Sequence, residues 1–188
     1  MHSKWIYGVR NMLATKAATK PEDLKGLKIR VPNIRISTEM MNAMGATSTP
    51  MPLAEAYPAL MQGVINGAEN PIPVLYGGKM FEGAKFLIMT RHQLNMSSWI
   101  AGTSFIAKLP PEIVRLLKET GEEAGKFLDK ENEMADKDAL QKMQAAGVKI
   151  VEVDRDAFKA VMKDFPARFS KEFPPEVMSR LYAIIGHR

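Results

Sequence analysis

The chain has 188 residues, of which 46% are hydrophobic and 25% charged, a composition typical of a folded protein with a substantial core. It contains no cysteine, which excludes disulfides, thiolate nucleophiles and cysteine-ligated metals. The formal net charge is +5, but acidic residues alternate with basic ones from Glu112 to Arg155, which is typical of a solvated helix face and argues against a nucleic-acid partner. A modest positive charge instead suits a small anionic ligand.

Short strands and helices alternate in the first half of the chain. A compact apolar run that ends at Pro32 predicts the first strand. Apolar residues at helical spacing follow Asn33, the expected N-cap, and stop before Gly45. The predicted elements of this half are strands at 27–31, 47–51 and 67–69, a helix after Asn33, and a helix from about Glu55 with Pro58 in its first turn.

A long helix dominates the second half. It opens at Pro110 and Pro111, and only two glycines interrupt the helical pattern before Gly147. At 1.5 Å per residue it reaches about 50 Å, which favours a strut between two lobes. One face of the predicted helix carries the apolar residues Ile113, Leu116, Leu117, Ala124, Phe127, Leu128 and Ala135. The other predicted elements are strands at 85–89, 98–107 and 148–153, and helices at 155–165 and 175–185.

This alternation predicts an α/β fold with mainly parallel strand pairing, in which ligands bind beyond the carboxyl ends of the strands. Arg30 lies near the end of one predicted strand, and Asn70 lies just past the end of another. The planar guanidinium of arginine can form two parallel hydrogen bonds with a carboxylate. An asparagine amide can donate to or accept from a ligand, which orients the ligand without adding charge. Two structural roles stay open: a salt bridge at the sheet edge for Arg30, and a turn role before Pro71 for Asn70.

Signals for catalysis are weak. The motifs GxGxxG, HExxH and GxSxG and the P-loop are absent, and the three histidines are far apart in the sequence. We therefore expect no catalytic residues, no metal and no cofactor. The alternative function is an enzyme acting on a small carboxylic acid, with Arg30 as anchor and Glu69 or His92 as the acid–base group. Both of the latter residues also fit ordinary structural roles.

A succession of short motifs resembles one family, the DctP-type solute-binding proteins of tripartite ATP-independent periplasmic (TRAP) transporters. Order and spacing hold from about Tyr7 to about Val153. The matching stretches are PEDLKGLKIRVP at 21–32, MGA at 44–46, TPM at 49–51, EAYPAL at 55–60, GAENP at 67–71, KMFE at 79–82 and LPPE at 109–112. Each stretch alone is weak, but their succession is specific.

The resemblance implies a set of ligand-binding residues. Arg30 would pair with the ligand carboxylate, assisted by Arg10, and Asn70 would face the ligand. Arg91 and Trp99 are further candidates. Leu53 stands where many members place an aromatic residue, so the sugar-acid and C4-dicarboxylate specificities of the family do not carry over directly.

The resemblance also implies a periplasmic-binding-protein-like fold of type II character, with two α/β lobes that close on the ligand. This chain matches the carboxyl-side half: a ligand-binding lobe at 5–95, completed by about 140–188, with crossover strands and the long helix at 96–139. The first lobe and a signal peptide are expected to be absent. Uncovered strands would then favour self-association.

Together these features predict a non-enzymatic, extracytoplasmic component of a TRAP transporter. It would capture a small organic acid through an arginine–carboxylate pair and deliver it to the membrane permease subunits. A periplasmic location follows from the resemblance.

Overall fold

The computed structural model describes residues 2–185, and the side chains of residues 5–184 within them. Its centre is a six-stranded sheet with the order β3-β2-β4-β1-β5-β6. The strands are β1 (His2–Ala14), β2 (Lys28–Val31), β3 (Thr47–Pro50), β4 (Gly67–Pro71), β5 (Phe86–Ile100) and β6 (Lys149–Val151). Residues 186–188, the end of the predicted second part of the lobe, lie outside the described residues.

Strand directions place the carboxyl ends of most strands at one edge of the sheet. The pairs β2–β3, β2–β4 and β5–β6 are parallel, whereas β1 is antiparallel to both β4 and β5. The expected mainly parallel pairing is therefore wrong for the central strand. Local sequence pattern could not show this, because strand direction depends on how distant segments pair. All strands except β1 point their carboxyl ends to the same edge.

Helices cover both faces of the sheet. The α-helices are α1 (Arg35–Ala43), α2 (Leu53–Met61), α3 (Ile72–Gly77), α4 (Thr103–Ile106), α5 (Pro111–Ala145), α6 (Arg155–Met162) and α7 (Pro175–Ile185). Short 3₁₀ helices occur at Pro21–Leu24, Met80–Glu82 and Pro166–Phe169. No helix within residues 2–185 is long and apolar enough to cross a membrane.

Two apolar cores lie on opposite faces of the sheet, because successive strand residues point to opposite sides. Leu13 and Leu87 join residues of α2, α3 and the end of α5 in one core. Met12 and Ile88, their neighbours along the strands, join α1 and α6 in the other. Burial on both faces fixes the register of β1 and β5, since a slip by one residue would exchange the two sets.

Several predicted boundaries are wrong. The predicted strand at 98–107 is instead the end of β5 followed by α4, because pairing with β1 continues β5 through the polar residues after Met89. Asn33 is not the N-cap of α1; Ile34 holds that position. The second helix begins earlier than expected, at Leu53, so Pro58 lies inside it rather than in its first turn.

The long helix is confirmed, and much of its apolar face is exposed in this chain. Helix α5 has 35 residues, which corresponds to about 52 Å. Phe127 is 63% exposed, and Ile113 and Leu116 are also exposed. The buried residues of α5 are Gly121, Gly125, Ala139 and Met143, which lie against the sheet. Much of this apolar face is thus uncovered within the described residues.

Candidate ligand-binding site

Buried polar side chains concentrate where β1, β2 and β4 approach the common carboxyl edge. Within residues 5–184, the buried polar or charged residues are Ser37 in α1 and a group of five on these three strands: Arg10, Asn11, Arg30, Glu69 and Asn70. Polar groups are costly to bury unless they are paired. Such a concentration therefore marks this edge as the candidate site.

Arg30 is 4% exposed and has no carboxylate within ion-pair distance among the described residues. Its Nε and Nη2 both donate to the carbonyl oxygen of Met51, at 3.0 and 2.8 Å. This contact fixes the plane of the guanidinium and leaves Nη1 without a partner in the described part of the chain. Burial lowers the pKa of Arg30. The charge of Glu69 raises this pKa, and the charge of Arg10 lowers it. An arginine nevertheless stays protonated at any working pH.

Arg10 forms a buried ion pair with Glu69. Its Nε lies 2.5 Å from Oε2, and its Nη2 lies 2.7 Å from Oε1 and 3.0 Å from the backbone oxygen of the same residue. The charge of Arg10 is therefore balanced within the protein, unlike that of Arg30. The sequence predicts Arg10 as a second cation for the ligand carboxylate. In the structure its guanidinium is paired with Glu69.

His92 completes the environment of Glu69. Its Nε2 lies 3.1 Å from Glu69 Oε2, and its Nδ1 lies 2.8 Å from the hydroxyl of Thr90. Burial raises the pKa of Glu69, but hydrogen bonds from His92 and Arg10, with the charges of both residues, outweigh it and leave the pKa below its ordinary value. A carboxylate with a lowered pKa and full hydrogen bonding is a poor general base near neutral pH.

Asn70 lies on the same sheet face as Arg30. Arg30 pairs with Ala68, and Asn70 is two residues further along β4, so their side chains project to the same side. Asn11 pairs with Asn70 from β1 and shares this face. Asn70 is 5% exposed, and its amide makes no hydrogen bond to other described residues.

Arg91 is turned towards another partner. Its Nη1 and Nη2 each lie 2.8 Å from a carboxylate oxygen of Glu152, just after β6. Its backbone adopts a φ of 44°, in the left-handed region that non-glycine residues rarely occupy. The side chain is thus engaged with Glu152 rather than pointing freely into the site.

Leu53 and Trp99 differ in their relation to this group. Leu53 is 43% exposed at the first position of α2, two residues after Met51, whose backbone oxygen accepts from Arg30. Trp99 lies six residues beyond Gln93, the β5 partner of Arg10, which corresponds to about 20 Å along the strand. It packs edge-on against Trp5, with ring centroids 5.9 Å apart. The structure does not bring Trp99 to the other candidates.

Sequence reasoning missed Asn11 and did not foresee the shared role of Glu69 and His92. Asn11 lies beside Arg10 in a strand that carried no clear periodic signal. The sequence left Glu69 and His92 between an acid–base role and ordinary structural roles, and it gave no sign that the two residues contact each other. Within residues 2–185, no group of three or more His, Asp or Glu residues is arranged to hold a metal ion.

Comparison with known proteins is consistent across sequence and structure. Residues 3–172 match the family model DctP, described as bacterial extracellular solute-binding protein, family 7. The 2,3-diketo-L-gulonate-binding periplasmic protein YiaO of Escherichia coli is 33% identical over 173 residues, which cover 90% of this chain and 53% of that protein. The chain therefore spans about half the length of the curated relatives that it matches.

Solved structures support the same assignment. A TRAP periplasmic solute-binding protein from Chromohalobacter salexigens with bound D-glucuronate has a TM-score of 0.90 and 31% identity, and the match covers 99% of this chain and 62% of that one. One from Actinobacillus succinogenes with bound L-galactonate has a TM-score of 0.76 and 40% identity, covering 86% and 54%. The predicted α/β fold of this family is thereby confirmed, and the family consists of binding proteins rather than enzymes. The chain belongs to the DctP family of TRAP periplasmic solute-binding proteins.

Proposed function

We propose that this chain is the ligand-binding part of an extracytoplasmic solute-binding protein that captures a small organic acid through Arg30. The observation that carries this proposal is the buried guanidinium of Arg30 without a carboxylate partner. An unpaired buried charge is costly, and a bound carboxylate would supply the missing counterion. The Met51 carbonyl holds the guanidinium in place before the ligand arrives, which reduces the entropy lost on binding.

The ligand class follows from the chemistry of the site and from the relatives. Arg30 supplies one cation, whereas Arg10 is already neutralised by Glu69, so a single carboxylate satisfies the site. Asn70 offers an uncharged donor and acceptor on the same face, suited to a hydroxyl or keto oxygen next to that carboxylate. Two solved relatives hold the sugar acids D-glucuronate and L-galactonate. A hydroxylated organic acid is therefore the proposed ligand.

Partners and location follow from the family. The binding protein would deliver its ligand to TRAP membrane permease subunits from a periplasmic position. The ligand would close two lobes because it binds the closed state better than the open one. The division into a ligand-binding lobe at 5–95 and 140–188 and an interlobe part at 96–139 remains a prediction within this proposal.

The alternative of an enzyme acting on a carboxylic acid is less well supported. Its acid–base candidates are Glu69 and His92, which are hydrogen-bonded to each other. Because the pKa of Glu69 is lowered, its carboxylate is a weak base. These residues are better explained as a fixed network that holds Arg10 beside the ligand.

Calorimetric titration tests the proposal. The protein used is the two-lobe form, in which this chain is joined to the proposed first lobe. It is titrated with D-glucuronate, L-galactonate, a keto acid and a plain carboxylic acid, and the mixtures are then examined for chemical change. We expect stoichiometric binding of at least one acid with no turnover. Turnover of an acid would favour the enzyme, and failure to bind any organic acid would contradict the proposed ligand class.

A further inference from the structure

Strand β5 leaves its regular pairing with β1 beside the candidate site. Arg10 pairs with Gln93, and the next ladder partner on β1, Met12, pairs with Ile88. Four residues of β5, at 89–92, therefore lie opposite the single residue Asn11. We refer to residues 89–92 as the β5 bulge. A bulge of this kind redirects side chains, and here it carries His92 towards Glu69.

Asn11 is the residue that holds the β5 bulge to β1. Its side chain is buried, with only 2% exposure. Its Oδ1 accepts a hydrogen bond from the backbone N–H of Arg91 at 3.0 Å, and its Nδ2 donates to the backbone oxygen of Val9 at 3.2 Å. Arg91 lies outside the regular pairing of β5 with β1. The Asn11 side chain accepts a hydrogen bond from the Arg91 backbone N–H there.

The conformation of the bulge needs such support. Arg91 has a φ of 44°, which is unfavourable for a residue with a Cβ and persists only where neighbouring contacts hold it. Arg91 is held by the Asn11 bond to its backbone, by the Glu152 bonds to its side chain, and by a longer bond of 3.4 Å from its Nη1 to the backbone oxygen of Met89. The Glu152 carboxylate is exposed, whereas Asn11 is buried and its bond to Arg91 is partly buried. The Asn11 bond is the stronger constraint, since it is better shielded from water than the Glu152 bonds.

We infer that Asn11 is a positioning residue for the ligand site: it fixes the β5 bulge so that His92 reaches Glu69, which in turn holds Arg10. The chain of contacts runs from Asn11 Oδ1 to the Arg91 N–H, along one peptide to His92, and from its Nε2 to the Glu69 carboxylate. This inference rests on the proposed function for its effect on acid binding. Its structural part does not depend on any ligand.

The ligand-free test is made on this chain by NMR. Asn11→Leu removes both amide bonds with little change of volume, whereas Asn11→Asp keeps an oxygen that accepts from Arg91 N–H. Leu13→Val is the matched control, a buried change on β1 that leaves the bulge contacts intact. We expect Asn11→Leu to speed hydrogen exchange of the Arg91 amide about 10-fold or more and to shift the His92 imidazole nitrogen signals. Asn11→Asp is expected to restore most of the Arg91 protection.

The second arm measures affinity for D-glucuronate in the two-lobe protein. We expect roughly a 3- to 10-fold loss for Asn11→Leu, a smaller loss for Asn11→Asp, and none for Leu13→Val. Unchanged Arg91 exchange and His92 signals in Asn11→Leu would overturn the inference. So would equal changes in Leu13→Val, because the effect would then reflect stability alone. If the parent protein binds no acid, the proposed function fails, and the exchange experiment still decides the role of Asn11.

Discussion

Arg10 and Glu69 form a two-point ion pair in the interior of the sheet, although they are 59 residues apart in the sequence. Among the described residues, the pair neutralises one of the two buried arginines at the carboxyl edge and leaves Arg30 without a carboxylate partner. Under the proposed function, a single ligand carboxylate would complete the charge at this edge. This relationship and the neighbouring contacts lead to five predictions.

The first concerns the stability that the ion pair provides. Glu69→Ala leaves Arg10 buried without its counterion, which should lower the free energy of unfolding by about 3–5 kcal/mol. Urea denaturation followed by circular dichroism measures this. Glu39→Ala, which removes a more exposed partner of Arg35, is the control and should cost less than about 1 kcal/mol. Equal losses of unfolding free energy in the two variants would show that the buried pair stabilises the fold no more than the exposed pair does.

The second concerns acid pH. The pKa of Glu69 lies below its ordinary value of 4.5, because the hydrogen bonds from His92 and Arg10 outweigh the effect of burial. A lowered pKa in the folded state contributes stability that is present above the ordinary pKa and is lost as the pH falls through the folded-state pKa. We expect urea midpoints to decline below about pH 4.5 and to decline less in Glu69→Gln. An identical pH profile in that variant, with exposed Glu112→Gln as control, would refute the assignment.

The third concerns Arg30 itself. Arg30→Lys keeps the charge but cannot reproduce the planar donor set, so acid binding by the two-lobe protein should weaken by about 2–4 kcal/mol, or roughly 30- to 1000-fold. Isothermal titration calorimetry gives the dissociation constants. Arg35→Lys makes the same chemical change at an exposed arginine and should leave affinity unaltered. An unchanged constant for Arg30→Lys would remove this residue from the site.

The fourth concerns selectivity. Asn70 adds no charge, so Asn70→Ala should change the ranking of hydroxy, keto and plain acids more than it lowers affinity for all of them. Competition titrations with matched acids reveal the ranking. Asn66, just before β4 at the opposite end of the strand, accepts a hydrogen bond from the backbone N–H of Lys28 and provides the control Asn66→Ala. A uniform loss across all acids would indicate a structural role for Asn70.

The fifth concerns self-association of this chain. Strand β6 pairs only with Phe86–Ile88, so the rest of that β5 edge is open within the described residues. Leu94, Met96 and Ile100 on β5 are exposed, and open apolar strands favour pairing between copies. Light scattering should show a mass above 20.9 kDa that rises with concentration and falls in Met96→Lys. The control Val161→Lys, on the exposed face of α6, should not change it; a monomer at every concentration would contradict the prediction.

The sequence by itself determined the elements whose signals are local. The long helix begins at Pro111 and ends just before Gly147, as the prolines and the glycine predict. Helix α7 occupies the predicted residues 175–185. The position of Arg30 near the end of an apolar strand also followed from local pattern, because the strand ends at Val31 and Pro32 follows it. The succession of family motifs carried the assignment of function.

Only the tertiary structure decided how distant segments meet. The antiparallel place of β1, the pairing of Arg10 with Glu69 and the β5 bulge held by Asn11 all depend on contacts between residues far apart in the sequence. Hydrophobic periodicity shows which face of a strand is buried, but it does not select the neighbouring strand or its register. From the sequence alone, Arg10 and Arg30 are both candidate cations for the ligand carboxylate. They differ because one meets a carboxylate in the folded sheet and the other meets a backbone carbonyl.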